Sequence, residues 1–256
     1  MIEVKNLSLA YGKQRALQDI SFKIKQGQMV GILGPNGSGK STLLSCLCGL
    51  LTPQHGQILI KDQKIDAFKS KDLAKILTIL PQDNHPPLSM SCFELVLTGR
   101  YPYLGLLGTY SFEDRQKADQ AMQDTKTFSF KLRMTAEVSG GELQRILLAK
   151  TIVQETEIIF LDEATANLDI AHKIEVFKLL KKLQASGKTI VVAIHDLNLA
   201  ALFCPHLIFL KEGQLKFYGP TKEVFNQTNL EQVYATPTSI FRHPQTGAPQ
   251  AVFHLP

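Results

Sequence analysis

Met29-Val30-Gly31-Ile32-Leu33-Gly34-Pro35-Asn36-Gly37-Ser38-Gly39-Lys40-Ser41-Thr42 decides the reading of this chain. A short apolar run of the kind that forms a strand buried on both faces enters a glycine-rich loop. A helix is predicted directly after it, from about Ser41 to Leu50. Gly34 to Ser41 fits the pattern G-x-x-x-x-G-K-[ST] in full, in the strand-loop-helix context that the pattern requires. Glycines let backbone amides close around phosphate oxygens without Cβ clashes. The helix N-terminus adds partial positive charge. Lys40 is placed to reach β- and γ-phosphates, the Ser41 hydroxyl to ligate Mg²⁺, and Thr42 to add a phosphate contact. The loop therefore predicts binding of ATP with Mg²⁺.

Farther along, Ile158-Ile159-Phe160-Leu161-Asp162-Glu163 is another buried-strand signal, this time ending in two carboxylates. Open α/β sheets place chemistry at the C-terminal ends of their strands. Asp162 suits a role on Mg²⁺, and Glu163 is placed to accept a proton from attacking water. Val138-Ser139-Gly140-Gly141-Glu142 lies about twenty residues upstream and opens a predicted helix. Ser139 is a good N-cap, and Gly140 and Gly141 permit close backbone approach. That makes a second anion site, although the loop at 34–42 already holds the one γ-phosphate. Two such sites per chain make sense if the chain pairs head-to-tail with a copy of itself, each helix N-terminus covering the nucleotide of the other.

Outside these motifs, strand and helix signals alternate at both ends. Ile2, Val4 and Leu7 begin one strand, and Ile20, Phe22 and Ile24 alternate in another. Gln57 to Ile60, Ile76 to Leu80 and Thr189 to Ile194 also read as strands. Ile174, Phe177, Leu180 and Leu183 recur at helical spacing. His206 to Leu210 and Gln214 to Tyr218 bracket a turn at Lys211-Glu212-Gly213, a hairpin signal. Between about 84 and 154 the pattern is mostly helical, with helices over Phe93–Gly99, Phe112–Thr125 and Ser139–Gln154, after a loop at Asn84–Pro87. The expected architecture is an α/β core (1–83 and 155–220), a helical subdomain (84–154) and a C-terminal extension (221–256) with one short helix and a proline-containing end.

Composition sets outer limits. A chain of 256 residues with 44% hydrophobic and 20% charged residues is an ordinary globular protein of one or two domains. The net charge of +5 comes from scattered basic residues, which reads as a solvated surface and not as a nucleic-acid interface. No apolar run approaches the roughly 18 residues that span a bilayer, and the first residues alternate like a strand and not like a signal peptide. A soluble cytoplasmic chain is expected. Cys46, Cys48, Cys92 and Cys204 match no zinc or disulfide spacing and read as small core residues in a reducing compartment.

Taken together, these motifs resemble the ATP-binding cassette (ABC) family, over essentially the whole length. The resemblance implies a RecA-like P-loop core with an antiparallel β subdomain and an inserted helical subdomain. It also implies ATP hydrolysis. By the same resemblance Tyr11 stands where an aromatic ring stacks on adenine. Gln82 corresponds to the glutamine that joins core to helical subdomain and senses Mg²⁺ and water. Asp169, in Ala166-Asn167-Leu168-Asp169, corresponds to a loop that communicates across the dimer. His195 corresponds to the switch histidine near the γ-phosphate. Val138, Glu142 and Ala164 depart from the family's commonest residues, and the connection from Lys126 to Glu137 is a few residues short. None of these departures removes a catalytic atom.

A single cassette without a coiled-coil insert resembles the ATPase subunits that serve separate membrane permeases, two of them per transporter, at the cytoplasmic face of the cell membrane. The alternative is a soluble regulatory ATPase without a membrane partner. Glu94 to Gly105, Gly219-Pro220-Thr221, Glu223-Val224 and His243 to Pro249 resemble importers of iron–siderophores, haem and vitamin B12, with molybdate and zinc importers as near neighbours. An extracytoplasmic binding protein is implied indirectly. The segment 83–110 is expected to receive a cytoplasmic helix of the permease, with Leu95 and Leu97 in the core and Arg100 to Tyr103 facing the partner.

Overall fold

Alternation drives the first strand, β1 (Ile2–Tyr11), whose Ile2, Val4, Leu7 and Leu9 are buried. A register break between Val4 and Leu7, with Asn6 at φ +49°, keeps both halves facing the core. β2 (Gln14–Ile24) pairs with it antiparallel, and β3 (Met29–Leu33) is buried at every position. Then come α1 (Lys40–Leu47), β4 (His55–Ile60), β5 (Gln63–Lys64), α2 (Ser70–Ile76) and β6 (Leu77–Leu80). α3 (Cys92–Leu97) leads into a 3₁₀ segment, Thr98–Tyr103, followed by α4 (Phe112–Asp124) and α5 (Gly140–Val153). β7 (Ile158–Asp162), α6 (Ile170–Ala185), β8 (Thr189–Ala193), α7 (Leu197–Phe203), β9 (His206–Lys211) and β10 (Gln214–Pro220) follow. The chain ends in α8 (Thr221–Val224), α9 (Gln227–Tyr234), β11 (Thr238–Arg242) and β12 (Pro249–Phe253). This computed structural model describes residues 1–82, 89–105, 108–163 and 168–254. The expected loop Asn84–Pro87 and the residues Ala164, Ala166 and Asn167 lie outside the described residues.

The fold is α/β and divides into two compact units, 1–68 with 189–256, and 69–188. In the first unit an antiparallel sheet runs in the order β2-β1-β4-β5. β3 lies between parallel neighbours β8 and β9, and β10 closes on β9 as the expected hairpin. Because β3 is flanked on both sides, every one of its residues is apolar or glycine. In the second unit β6 and β7 pair in parallel, from Leu77 against Ile158 to Leu80 against Leu161. α3 and α4 pack on α5 there, burying Leu95, Val96, Ala118, Met122, Ile146 and Leu147. This unit begins before residue 84 and ends after 154 because α2, β6, β7 and α6 travel with the helices.

The tail differs from expectation. It holds two helices and a hairpin, β11 against β12, where one short helix and a proline-containing end were expected. Asn198 explains the hairpin: its side chain pairs with the Ala251 backbone, accepting at 2.8 Å and donating at 3.2 Å, which seats β12 against α7. All four cysteines are free and buried, and burial pushes the Cys46 thiol up to about 11. Among the described residues no helix is long and apolar enough to cross a membrane.

Candidate functional site

In the first unit the buried strand β3 delivers the chain into the loop Gly34 to Gly39, and α1 starts at Lys40. Gly39 takes the N-cap position at φ +100°, in left-handed geometry, and no side chain caps this helix. No side chain therefore competes with an anion at this helix start, which lies at the positive end of the helix dipole. A Cβ on Gly39 would stand 2.6 Å from the Ala16 carbonyl, so a side chain cannot be accommodated there without moving β2. Lys40 is buried, and its Nζ donates to the carbonyls of Gly34 at 3.0 Å and Pro35 at 3.2 Å. The ammonium thus bends back across the loop. Ser38 Oγ is buried with no hydrogen-bond partner among the described residues. A loop with uncapped amides, an overarching lysine and an orphaned buried hydroxyl fits a polyphosphate.

The rest of the first unit braces this loop. The Gly213 amide donates to the Ser38 carbonyl at 3.1 Å, and the Gln18 amide donates to the Gly213 carbonyl at 2.8 Å. Gly34 hydrogen-bonds through its backbone to the Tyr234 phenol, whose burial pushes its pKa up. Sequence reading missed this residue of α9, because a lone tyrosine in the tail belongs to no motif. Tyr11 closes β1 with half its surface exposed, so its ring is open for stacking and not part of the core. His195 is exposed just beyond β8. β8 runs parallel to β3 with Ala193 opposite Ile32, so His195 leaves the sheet at the same end as the loop. Asp196 is the N-cap of α7 and accepts from the Leu199 amide at 2.9 Å.

In the second unit the parallel register of β6 and β7 brings Gln82 and Glu163 together. Gln82 Nε2 donates to Glu163 Oε2 at 2.9 Å. Asp162 is buried at the end of β7, and Glu163 turns out of the strand at φ +51°. A carboxylate residue in left-handed geometry at a strand end is locally strained and aims its side chain away from the strand direction. Ser139 is the N-cap of α5, as expected, and Gly140 and Gly141 begin the helix. Glu142 completes a capping box: its amide donates to Ser139 Oγ at 3.3 Å, and the Ser139 amide donates to its Oε2 at 2.7 Å. That backbone hydrogen bond holds the Glu142 carboxyl below its usual range. Asp169 is likewise the N-cap of α6, accepting from the His172 amide at 2.9 Å and pairing with the His172 ring.

One expectation is corrected here. Arg100 does not face outward. It is buried, and its guanidinium donates to Asp114, Glu155 and the Val153 carbonyl. Tyr101 and Tyr103 are the exposed members of that segment, at 67% and 40%.

Comparison with known proteins agrees with this geometry. The family model described as ABC transporter matches residues 17–166. The petrobactin import ATP-binding protein YclP of Bacillus subtilis is 40% identical over 91% of this chain and 92% of its own. A metal-chelate type ABC transporter solved in an inward-facing conformation matches with a TM-score of 0.85 at 27% identity, covering 99% of this chain and 97% of that one. The dimeric, post-hydrolysis structure of the ATP-binding cassette MJ0796 bound to ADP and Pi matches at a TM-score of 0.77 and 31% identity, covering 86% and 98%. An uncapped phosphate loop, an acidic strand end in register with a glutamine, and this breadth of similarity place the chain in the ABC transporter family, as an ATP-binding and ATP-hydrolysing cassette.

Proposed function

We propose that this cassette powers an importer of a metal chelate, an iron–siderophore first, by ATP-driven closure of a head-to-tail homodimer at the cytoplasmic face of the cell membrane. The observation that carries the ATPase reading is the uncapped N-terminus of α1 with Lys40 bent across it. The import reading rests on similarity to a petrobactin import ATP-binding protein and to a metal-chelate type transporter. Vitamin B12, haem or molybdate would use the same cassette, because the cassette does not touch the cargo.

In this reading the amides of Gly34, Asn36, Gly37, Ser38 and Gly39 line the polyphosphate, with Thr42 beside it, while Pro35 has no amide to give and shapes the loop, its carbonyl accepting from the Lys40 ammonium. Lys40 neutralises the phosphate charge that develops on transfer, and His195 adds to that at the γ-phosphate. Tyr11 stacks on adenine. Ser41, Gln82 and Asp162 would hold Mg²⁺. Their donor set is oxygen throughout once the Gln82 nitrogen is engaged by Glu163, and oxygen is what this cation takes. Bound there, the ion neutralises phosphate charge. Glu163, steadied by Gln82, orients or deprotonates the attacking water. Ser139, Gly140, Gly141, Glu142 and Asp169 face the second copy and its nucleotide. Of the two permease subunits, each docks a cytoplasmic helix on the 83–110 segment of one cassette, where Tyr101 and Tyr103 are the exposed aromatics among the described residues. We read α3 to α5 as the helical subdomain at 84–154 and 221–256 as the extension. ATP has to bind the closed dimer far more tightly than the open one for closure to do work.

The test is co-purification from membranes of tagged chain, with ATP and with Glu163→Gln to hold the closed state. Recovery of a polytopic membrane protein in equal amount is expected. Recovery only from the soluble fraction would overturn the transporter reading, leave the ATPase intact and point to a soluble regulatory cassette.

A further inference from the structure

We propose that Arg100 is a positioning residue: it locks the partner-facing segment Thr98–Tyr103 to the C-terminal end of α5, so that permease docking is transmitted to Ser139 and to Gln82. The inference rests on the importer reading above. Its starting point is a buried charge that the ATPase chemistry does not use.

Arg100 Nε donates to Asp114 Oδ1 at 2.8 Å, and its Nη1 donates to the Val153 carbonyl and to Glu155 Oε2, each at 3.0 Å. The guanidinium lies 3.9 Å from the Tyr103 ring centroid, and the Tyr103 hydroxyl donates to the Gln154 carbonyl at 2.8 Å. Val153 is the last residue of α5, and Gln154 is its C-cap. A cation on the last carbonyls of a helix complements its dipole. Gly99 makes the approach possible, since a Cβ there would stand 2.5 Å from Val153 Cγ1. Tyr101 and Tyr103, one and three residues on, keep exposed ring surface while their backbone is pinned.

The same helix end reaches the catalytic strand. Gln154 Nε2 donates to the Ala74 carbonyl at 2.6 Å, and its Oε1 accepts from Thr78 Oγ1 at 2.8 Å. Thr78 lies in β6, which leads to Gln82 and its hydrogen bond to Glu163. At its other end α5, 14 residues and so about 21 Å long, begins at the Ser139 cap. A push on Tyr101 or Tyr103 therefore acts on one rigid rod and one strand together. The anchor has to be arginine, because only a planar fork stacks on a ring while donating in several directions at once. A buried ion pair is a weak device for stability, which leaves geometry as the reason for it.

The experiment compares ATP turnover of the full chain alone with that of the complex co-purified with its membrane subunits, for wild type, Arg100→Lys and Arg100→Ala. All are assayed well below each variant's melting temperature. Turnover and KM of the chain alone should stay within about twofold, while stimulation by the membrane subunits should fall about threefold in Arg100→Lys and about tenfold in Arg100→Ala, with the complex still recovered in equal amount. Equal loss of basal and stimulated turnover would reduce Arg100 to a folding role and overturn the proposal, as would unchanged stimulation in both variants. If the wild-type chain brings down no membrane protein at all, the importer reading itself has failed. Failure of the relay alone shows as a wild-type complex whose stimulation the variants keep.

Discussion

The chain contains two helix N-termini that its motifs assign to nucleotide, and they are built in opposite ways. α1 opens at Gly39 in left-handed geometry, with no side-chain cap and no acidic residue in its first turn. α5 opens at Ser139 with a complete capping box made by Glu142. No side chain caps the first end, whereas the second satisfies two of its own four orphan donors through the capping box. One is a binding site in the single chain. The other is a stable, exposed edge, suited to a nucleotide already held by a second copy.

Glu163→Gln tests the assignment hardest, since turnover should drop by roughly 10² or more while ATP binding is kept. Steady-state ATPase with nucleotide titration measures both, and unchanged hydrolysis would refute the role given to Glu163. In that background ATP should accumulate a dimer on size-exclusion chromatography. Ser139→Arg should abolish it, and a persisting dimer would break the head-to-tail half of the comparison.

Gly39→Ala is next in size. Left-handed strain and the Ala16 carbonyl together should weaken ATP binding by the isolated chain by about thirtyfold. Gly140→Ala meets open space and should leave that binding within about twofold, so equal losses in the two would erase the distinction. Ser139→Ala removes the cap of α5 and should cost about 1 kcal/mol in denaturant unfolding without altering ATP binding by the single chain.

The smallest effect is in pH. A group whose folded pKa is depressed stabilises above its unfolded value and loses that contribution as pH falls through the lowered folded value. The Ser139 amide depresses Glu142, so the α5 cap should loosen only in acid, below the ordinary carboxylate range. The protection factor of the Ser139 amide, its exchange measured against the intrinsic rate at each pH, should fall there, and the first turn of α1, which has no carboxylate, should show no matching step.

Much of the fold was legible because periodicity is local. The five residues of β3, the β9–β10 hairpin and the main helices follow their hydrophobic patterns to within a few residues. The loop at 34–42 was legible because a phosphate cradle needs particular residues at fixed spacing. The β11–β12 hairpin was not, because it is stabilised by Asn198, some fifty residues away in sequence. Arg100 was misplaced for a related reason. In sequence it is a charge between aromatics, and its burial depends on Asp114 and Glu155 arriving from two other elements.

The sequence by itself determined the phosphate loop, the acidic strand end, the order of the motifs and the alternation of strands and helices, because each depends on residues close together in the chain. Only the tertiary structure decided that Gln82 meets Glu163, that α1 lacks a cap where α5 has one, that Tyr234 reaches Gly34, and that Arg100 turns inward. Those outcomes depend on strand register, backbone handedness and partners distant in sequence, which are fixed when the chain packs.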